Sequence, residues 1–204
     1  MALKADLHVH TVHSMDSTIT LSMLLTKLKQ IGLDVVAITD HNTTAALRKA
    51  MNMASHLDII IIPGVEISTP QGDLIVLGFN DDLPTRGNAA EIVDEVSDKG
   101  YVTIAPHPFD DRRNSLGDLC FSLNKLTALE ILNARTASKF NKKAREAATI
   151  LAKTGVAGSD AHKIEQVGAV YNEICAEKDL ESILESIKKG KVIIKRLNVH
   201  STML

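Results

Sequence analysis

Hydrophobic positions along the chain follow two alternating patterns. Short, continuously apolar runs such as 34–39 and 101–106 are typical of buried strands, whereas segments such as 20–32 carry apolar residues at helical spacing. Gly32 and Gly100 stand where predicted helices end. The patterns predict strands over 2–9, 34–39, 58–63, 73–79, 101–106, 128–133, 156–159 and 191–197, helices over 20–32, 43–56, 88–100, 138–155 and 180–190, and an irregular region near 109–120.

Apolar strands that alternate with amphipathic helices predict a parallel sheet covered by helices on its outside. About seven such units favour one α/β domain over residues 1–204, with the sheet closed or nearly closed into a barrel. An open doubly wound sheet is the alternative fold. Glycine-rich nucleotide-binding motifs of the GxGxxG or GxxxxGKS/T type do not occur in the sequence.

Composition narrows the possible environments and partners. The formal net charge is −2, so no global basic surface favours long nucleic acid or an anionic membrane. Cys120 and Cys175 are far apart and form no CxxC motif, which is typical of a reducing compartment. The longest apolar stretch, around 59–63, is too short to cross a bilayer, and the N-terminus lacks a signal-peptide pattern. We therefore expect a cytoplasmic protein without a membrane partner.

Ligand-type side chains follow most of the predicted strands. His8 and His10 are two residues apart on the first strand, so both side chains leave the same face and are able to bind one metal ion. In a parallel barrel all strand C-termini open on one face, so residues distant in sequence meet there. The later strands end in Asp40 and His41, Glu66, His107, and Asp160 and His162.

Each of these residues also has an ordinary structural explanation. Asp40 or Asp160 could cap a helix or a turn, His107 could be a loop residue, and Glu66 could pair with an arginine. Together on one face, however, they would repel or desolvate one another without a cation. Mixed imidazole and carboxylate ligands suit Zn²⁺, Mn²⁺ or Fe²⁺ better than Ca²⁺.

Five short motifs follow one another along the chain. They are DLHVHT (6–11), TDHN (39–42), GVE (64–66), APHP (105–108) and GSDAH (158–162). With these motifs in this order, the chain resembles the PHP family, named for polymerase and histidinol phosphatase, from residue 6 to about residue 170. This resemblance implies a distorted (β/α)7 barrel with two or three divalent transition-metal ions at the C-terminal ends of the strands, and phosphoester hydrolysis.

The resemblance also implies a set of metal ligands. Glu66 would bind both a first and a second ion, and His107 would also bind the second. A third ion would take its ligands from two further motifs and from Asp16. His13 matches no ligand of the family, and we expect it on the rim. The first ion would be held by His8, His10, Glu66 and Asp160, and the third by Asp16, His41 and His162.

One departure from the family pattern affects the second ion. Many members supply another histidine between the glutamate and the HP motif, but the segment 73–80 contains none. Ile75 and Asn80 stand where this histidine would be expected. The second ion would then have Glu66 and His107 as its firm protein ligands, with water or substrate completing the site.

Phosphate binding would need positive side chains near the ions. Arg112 and Arg113 lie just beyond His107, while Asn133 and Arg135 follow another strand. We expect these four residues to contact substrate, with Arg112 and Arg113 as the best candidates. Asp40 is expected to orient a histidine rather than to bind metal. His56 and His200 lie outside the motifs, and we expect them on the surface.

The favoured function is hydrolysis of a small phosphomonoester, such as a nucleotide or sugar phosphate, with a metal-bound hydroxide as nucleophile. Three alternatives remain open. One is an exonuclease or phosphodiesterase that trims oligonucleotides. Another is a non-catalytic metal-binding barrel that serves a partner, and the last is C–N bond hydrolysis on the same metal platform.

Overall fold

The computed structural model describes residues 2–79 and 87–197. Asn80 and His200, both named above, lie outside these ranges. The strands are β1 (Ala2–Val9), β2 (Val35–Ile38), β3 (Ile60–Thr69), β4 (Gly72–Leu77), β5 (Val102–Ala105), β6 (Ala128–Asn133), β7 (Thr154–Gly158), β8 (Val170–Cys175) and β9 (Val192–Arg196). The helices are α1 (Leu21–Ile31), α2 (Leu47–Ala54), α3 (Ala89–Asp98), α4 (Ser138–Leu151) and α5 (Leu180–Lys188), with short 3-10 turns at Gly117–Phe121 and Ile164–Gln166.

The strands form one sheet that closes almost completely on itself. Its order is β7-β6-β5-β4-β3-β2-β1-β8-β9. The end of β7 returns to β1, where the Asp160 amide donates to the His8 carbonyl at 2.8 Å and the His10 amide donates to the Ala161 carbonyl at 3.0 Å. β7 and β8 are joined by a side chain instead of backbone pairing. Asn172 Oδ1 accepts from the Ala157 amide, and Asn172 Nδ2 donates to the Ala157 carbonyl. The predicted barrel is therefore confirmed.

Strand direction differs from the prediction of an all-parallel sheet. β4 pairs antiparallel with β3 and β5, and β8 pairs antiparallel with β1 and β9. Only residues 70–71 separate β3 from β4, whereas a parallel connection needs about a dozen residues. β8 was not predicted at all, so the barrel departs from a regular repeat of strand and helix at these places.

Local sequence signals explain several element boundaries. Thr20 caps α1 by accepting from the Met23 amide, and Gly32 ends the helix with φ 66°. The predicted end of the fourth helix at Gly155 is wrong, because Ala152 already takes the left-handed conformation with φ 50°. Gly155 lies instead in β7, where a Cβ would overlap the Ile131 side chain.

Two apolar clusters separate the inside of the barrel from its outside. The inner cluster takes side chains from β1 to β8 and from α5, whose Ile183, Leu184 and Ile187 close the end opposite the strand C-termini. The outer cluster packs α1 to α4 against the sheet. Within the described ranges, no helix is both long and apolar enough to span a membrane.

The register of β1 directs the first two histidines into the barrel. Leu3, Ala5 and Leu7 belong to the inner cluster, while Val9 packs against the outer helices. A register irregularity lies between Asp6 and Val9. The side chains of His8 and His10, on either side of Val9, therefore share the upper interior of the barrel above the apolar cluster.

Candidate metal centre

The buried carboxylate of Glu66 lies at the centre of the cluster. Its Oε2 is 3.3 Å from His8 Nε2, 3.2 Å from His10 Nε2 and 3.2 Å from His41 Nδ1. Its Oε1 lies on the other side, 3.1 Å from His107 Nε2. The two oxygens thus face different nitrogen donors, as the predicted bridging role of Glu66 requires.

Asp160 and Asp16 complete the set of sequence-predicted ligands. Asp160 Oδ1 is 3.7 Å from the Nε2 atoms of both His8 and His10. Asp16 Oδ2 is 3.0 Å from His162 Nε2 and 3.8 Å from His41 Nε2. The imidazole of His10 lies between those of His41 and His162, with ring centroids 4.3 and 4.2 Å away. All the residues predicted as ligands are therefore brought together, while their binding of metal stays a prediction.

Hydrogen bonds assign the proton on His10. Asp40 Oδ1 accepts from the Ser14 hydroxyl at 2.8 Å, so this hydroxyl has already donated its single proton. Ser14 Oγ must then accept from His10 Nδ1, 3.1 Å away, and from the His41 amide at 3.0 Å. The proton of a neutral His10 consequently lies on Nδ1, and its Nε2 presents a lone pair to the cluster.

The same argument applies to His8. Its Nδ1 lies 3.0 Å from Glu130 Oε1, a carboxylate oxygen that only accepts. The Nε2 of a neutral His8 therefore also presents a lone pair, 3.0 Å from that of His10 and next to Glu66 Oε2. Three electron pairs facing one another in a buried space repel strongly unless a cation lies between them. This donor set fits a transition-metal ion.

Ionisation of these groups follows from their surroundings. Burial opposes the charged form of His8, but the carboxylates of Asp160, Glu130 and Glu66 together raise its pKa well above the usual value. Burial lowers the pKa of His10 to about 4. Burial would raise the pKa of Glu66, yet the neighbouring imidazoles, His8 foremost, hold this pKa well below its usual range. The carboxylates around His8 thus favour its charged form, whereas binding of a metal ion by Nε2 requires that atom to be unprotonated.

Two of the ligand candidates have a strained backbone. His107 has φ 33° and Asp160 has φ 55°, a region that residues other than glycine rarely occupy. The His107 amide is held by Glu130 Oε2 at 2.7 Å, and the Asp160 amide by the His8 carbonyl at 2.8 Å. Such strain is typical of positions whose side-chain direction matters for function.

Comparisons with known proteins show what the chain is similar to. A PHP-associated family model matches residues 139–192. An uncharacterized protein of Methanocaldococcus jannaschii is 34% identical over 142 residues, covering 65% of this chain and 82% of that protein. The 5'-3' exoribonuclease Rnm of Escherichia coli is 39% identical over 82 residues, covering 38% of this chain and 28% of that enzyme.

A solved structure extends the likeness to the whole fold. A two-domain protein from Bacteroides vulgatus, described as containing a "predicted PHP-like metal-dependent phosphoesterase", gives a TM-score of 0.84 at 18% identity. The match covers 96% of this chain and 65% of that one. The chain belongs to the PHP family. Its one described departure from the family pattern, the lack of a histidine in 73–80, therefore concerns the ligands of the predicted second ion.

The polar residues predicted to contact substrate separate into two groups in this PHP barrel. Arg113 donates to Asp160 Oδ2, and Arg135 Nη1 lies 3.1 Å from Asp160 Oδ1. Asn133 Nδ2 also donates to Asp160 Oδ2, at 3.0 Å. Arg112 instead forms a two-point contact with Asp110, at 2.8 and 2.7 Å, which lowers the pKa of Asp110 to about 2. Arg113, Asn133 and Arg135 therefore lie beside the predicted ligand Asp160, whereas Arg112 is paired elsewhere, and contact of any of the four with substrate stays a prediction.

The prediction for Asp40 agrees with its contacts. Asp40 reaches His10 through the Ser14 hydroxyl, and it also accepts from the amide and hydroxyl of Thr11 at 2.7 Å each. It thereby fixes the loop that follows β1. His13 and His56 are exposed, as expected of residues outside the ligand set.

Sequence reasoning missed Glu130, a buried carboxylate in the middle of β6. Its Oε1 holds His8, and its Oε2 accepts from the His107 amide and from Asn133 Nδ2 at 2.9 Å. A Cβ on Gly158 of β7 would overlap both Glu130 Oε1 and His8 Cβ, so glycine is needed there. A lone glutamate inside the apolar run ALEIL was the available signal, because burying an unpaired charge is costly.

We predict that Glu130→Gln weakens metal binding. A carboxamide has one accepting oxygen and cannot replace both carboxylate oxygens, so His8 or the His107 amide loses its partner. Loss of such an outer contact reduces metal affinity by about 10- to 100-fold. Calorimetric titration of the metal-free protein with Zn²⁺ measures the change. Glu146→Gln, on the exposed side of α4, is the matched control. Equal affinities in Glu130→Gln and the control would contradict the assigned role.

Proposed function

We propose that this chain is a metal-dependent phosphoesterase that hydrolyses a small phosphomonoester. The observation that carries this proposal is the pair of arginines beside the donor cluster. Arg113 and Arg135 approach the buried carboxylate of Asp160 from two directions, and their side chains are 20% and 37% exposed. Both arginines are thus partly open to solvent beside the predicted ligand Asp160, which supports a role in binding a terminal phosphate.

The chain's own residues divide the work of binding a phosphate. Guanidinium groups recognise phosphate oxygens through paired, charge-assisted hydrogen bonds. Asp160 holds Arg113 and Arg135 near the cluster, and Asn133 adds a neutral donor on the same side. A phosphate would accept from these donors, while the predicted His and Glu ligands would hold the ions that bind its other oxygens.

Divalent ions at such a site polarise a phosphoryl oxygen and make water a stronger nucleophile. A protein nucleophile is then not required, and Cys120 is unsuited to the role. Cys120 is buried, and this burial raises the pKa of its thiol to about 12. The thiol therefore stays protonated near neutral pH.

Removal of nucleotides from the end of an oligonucleotide is the second candidate. The similarity to the 5'-3' exoribonuclease Rnm favours it, although the chain spans 28% of that enzyme's length. The net charge of −2 favours a short substrate over long nucleic acid.

A substrate panel tests the proposal. The Mn²⁺-loaded protein is assayed on nucleoside monophosphates, sugar phosphates, nucleoside bisphosphates, short oligonucleotides and amides. We expect release of inorganic phosphate from monoesters, with the highest kcat/KM in the panel. Preferential release of nucleotides from oligonucleotides would favour the second candidate. Turnover of amides alone would contradict the proposal and favour C–N bond hydrolysis. Absence of turnover for every substrate would contradict it and favour a non-catalytic metal-binding protein.

We further predict that Arg113→Ala and Arg135→Ala each reduce kcat/KM by about ten- to a hundred-fold. The reason is that a hydrogen bond between charged groups contributes about 1.5–3 kcal/mol. Arg112→Ala is the matched control, because Arg112 is paired with Asp110 and is 59% exposed. Steady-state kinetics on the best monoester measures all three variants. Equal losses in Arg112→Ala and Arg113→Ala, or none in any variant, would contradict the phosphate-binding role.

A further inference from the structure

The set of metal donors around Glu66 Oε1, the oxygen that faces His107, is incomplete. Glu66 Oε1 lies 3.1 Å from His107 Nε2, on the side away from His8 and His10. These two atoms are the protein ligands that the sequence motifs supply for a second ion. Protein sites for divalent transition metals usually contain at least three protein ligands. A further donor is therefore to be sought around this oxygen.

Antiparallel pairing of β3 and β4 determines which side chains can reach it. Ile75 lies directly opposite Glu66 in the register and carries no donor atom. Asp73 lies opposite Ser68, two residues from Ile75, and so its side chain leaves the same face of the sheet. Because β4 runs against its neighbours, its first residues lie at the rim where β3 and β5 place their ligand residues.

The three side chains are within ligand distance of one another. Glu66, Asp73 and His107 each offer one ligand atom, and these atoms lie within 4.8 Å of one another. All three residues are buried, Asp73 with 8% exposure. Asn114 holds Asp73 in place, since its Nδ2 donates to Asp73 Oδ1 at 2.8 Å and its carbonyl accepts from the Asp73 amide at 2.8 Å.

Electrostatics favours a cation at this position. On the side of His107, the buried carboxylates of Glu66 and Asp73 lie close together, and two negative charges at this separation repel each other. The guanidinium contacts described above are made with Asp160 and Asp110, on other parts of the rim. An ion bound by both carboxylates would remove the repulsion and convert it into binding free energy.

We propose that Asp73 is a ligand of a second divalent ion, which it binds together with His107 and the bridging Glu66. This inference rests on the proposed function, because Glu66 bridges two ions only if the first ion is bound. Two carboxylate oxygens and one nitrogen form a harder donor set than that around His8 and His10. The second site is therefore better suited to Mn²⁺ than the first site, which is richer in imidazole.

Titration of the metal-free protein with Mn²⁺ tests the ligand assignment. Calorimetry counts the bound ions, and electron paramagnetic resonance detects magnetic coupling between two ions that share the Glu66 carboxylate. We expect Asp73→Asn to bind one ion fewer, or to bind the second ion more than about a hundred-fold more weakly. The reason is that loss of a ligand reduces metal affinity more than loss of a residue that only contacts a ligand. The coupled signal should disappear, while Asp73→His, which restores a donor, should recover it.

Two controls separate ligation from a structural role. Asp118→Asn removes an exposed carboxylate and should leave the ion count and the coupling unchanged. Asn114→Ala removes the partner of Asp73 but keeps its carboxylate, so its effect should be smaller than that of Asp73→Asn. Equal losses in Asn114→Ala and Asp73→Asn would overturn the proposal, as would an unchanged second site in Asp73→Asn.

The outcomes also separate this inference from the proposed function. A wild-type protein that hydrolyses phosphomonoesters with one ion bound would overturn the second site and leave the function standing. A coupled pair of ions that depends on Asp73, in a protein without activity on phosphoesters, would support the second site and overturn the function.

Discussion

The arrangement of this barrel rim depends on one buried negative charge, the carboxylate of Glu66. Its two oxygens face imidazole nitrogens from β1 and from the segments that follow β1, β2 and β5, and hydrogen bonding directs the lone pairs of neutral His8 and His10 toward it. A buried charge of this kind is costly unless opposite charge is close by. This charge explains why nitrogen donors surround Glu66. It also explains the other buried polar residues, which orient those donors.

Two outer carboxylates hold the inner donors in place. Asp40 acts through Ser14 on His10, and Glu130 acts directly on His8 and on the His107 backbone. Each fixes which ring nitrogen carries the proton and so which one is free for an ion. Gly158 belongs to the same arrangement, because a side chain there would separate Glu130 from His8. The rigid sheet thus supports the cluster through contacts that lie one layer behind it.

Much of the cluster could be predicted from sequence, because strand C-termini meet at one rim and the histidines follow apolar runs. Strand direction could not be predicted in the same way. The apolar run 73–79 looks the same whether the strand is parallel or antiparallel, and only the antiparallel register shows that Asp73, near the start of β4, lies close to Glu66. Arg112 and Arg113 are adjacent in sequence, and only the loop conformation shows that they pair with different aspartates.

Anomalous X-ray diffraction from crystals grown with Zn²⁺ tests the central claim most directly. The account predicts a strong peak between His8 Nε2, His10 Nε2 and Glu66 Oε2, at about 2.0–2.2 Å from each of these atoms. It further predicts that the peak persists after the crystals are washed in metal-free buffer. A structure without a peak at that position, in which a doubly protonated His8 donates directly to Glu66, would contradict the claim that this cluster is built to hold a metal ion.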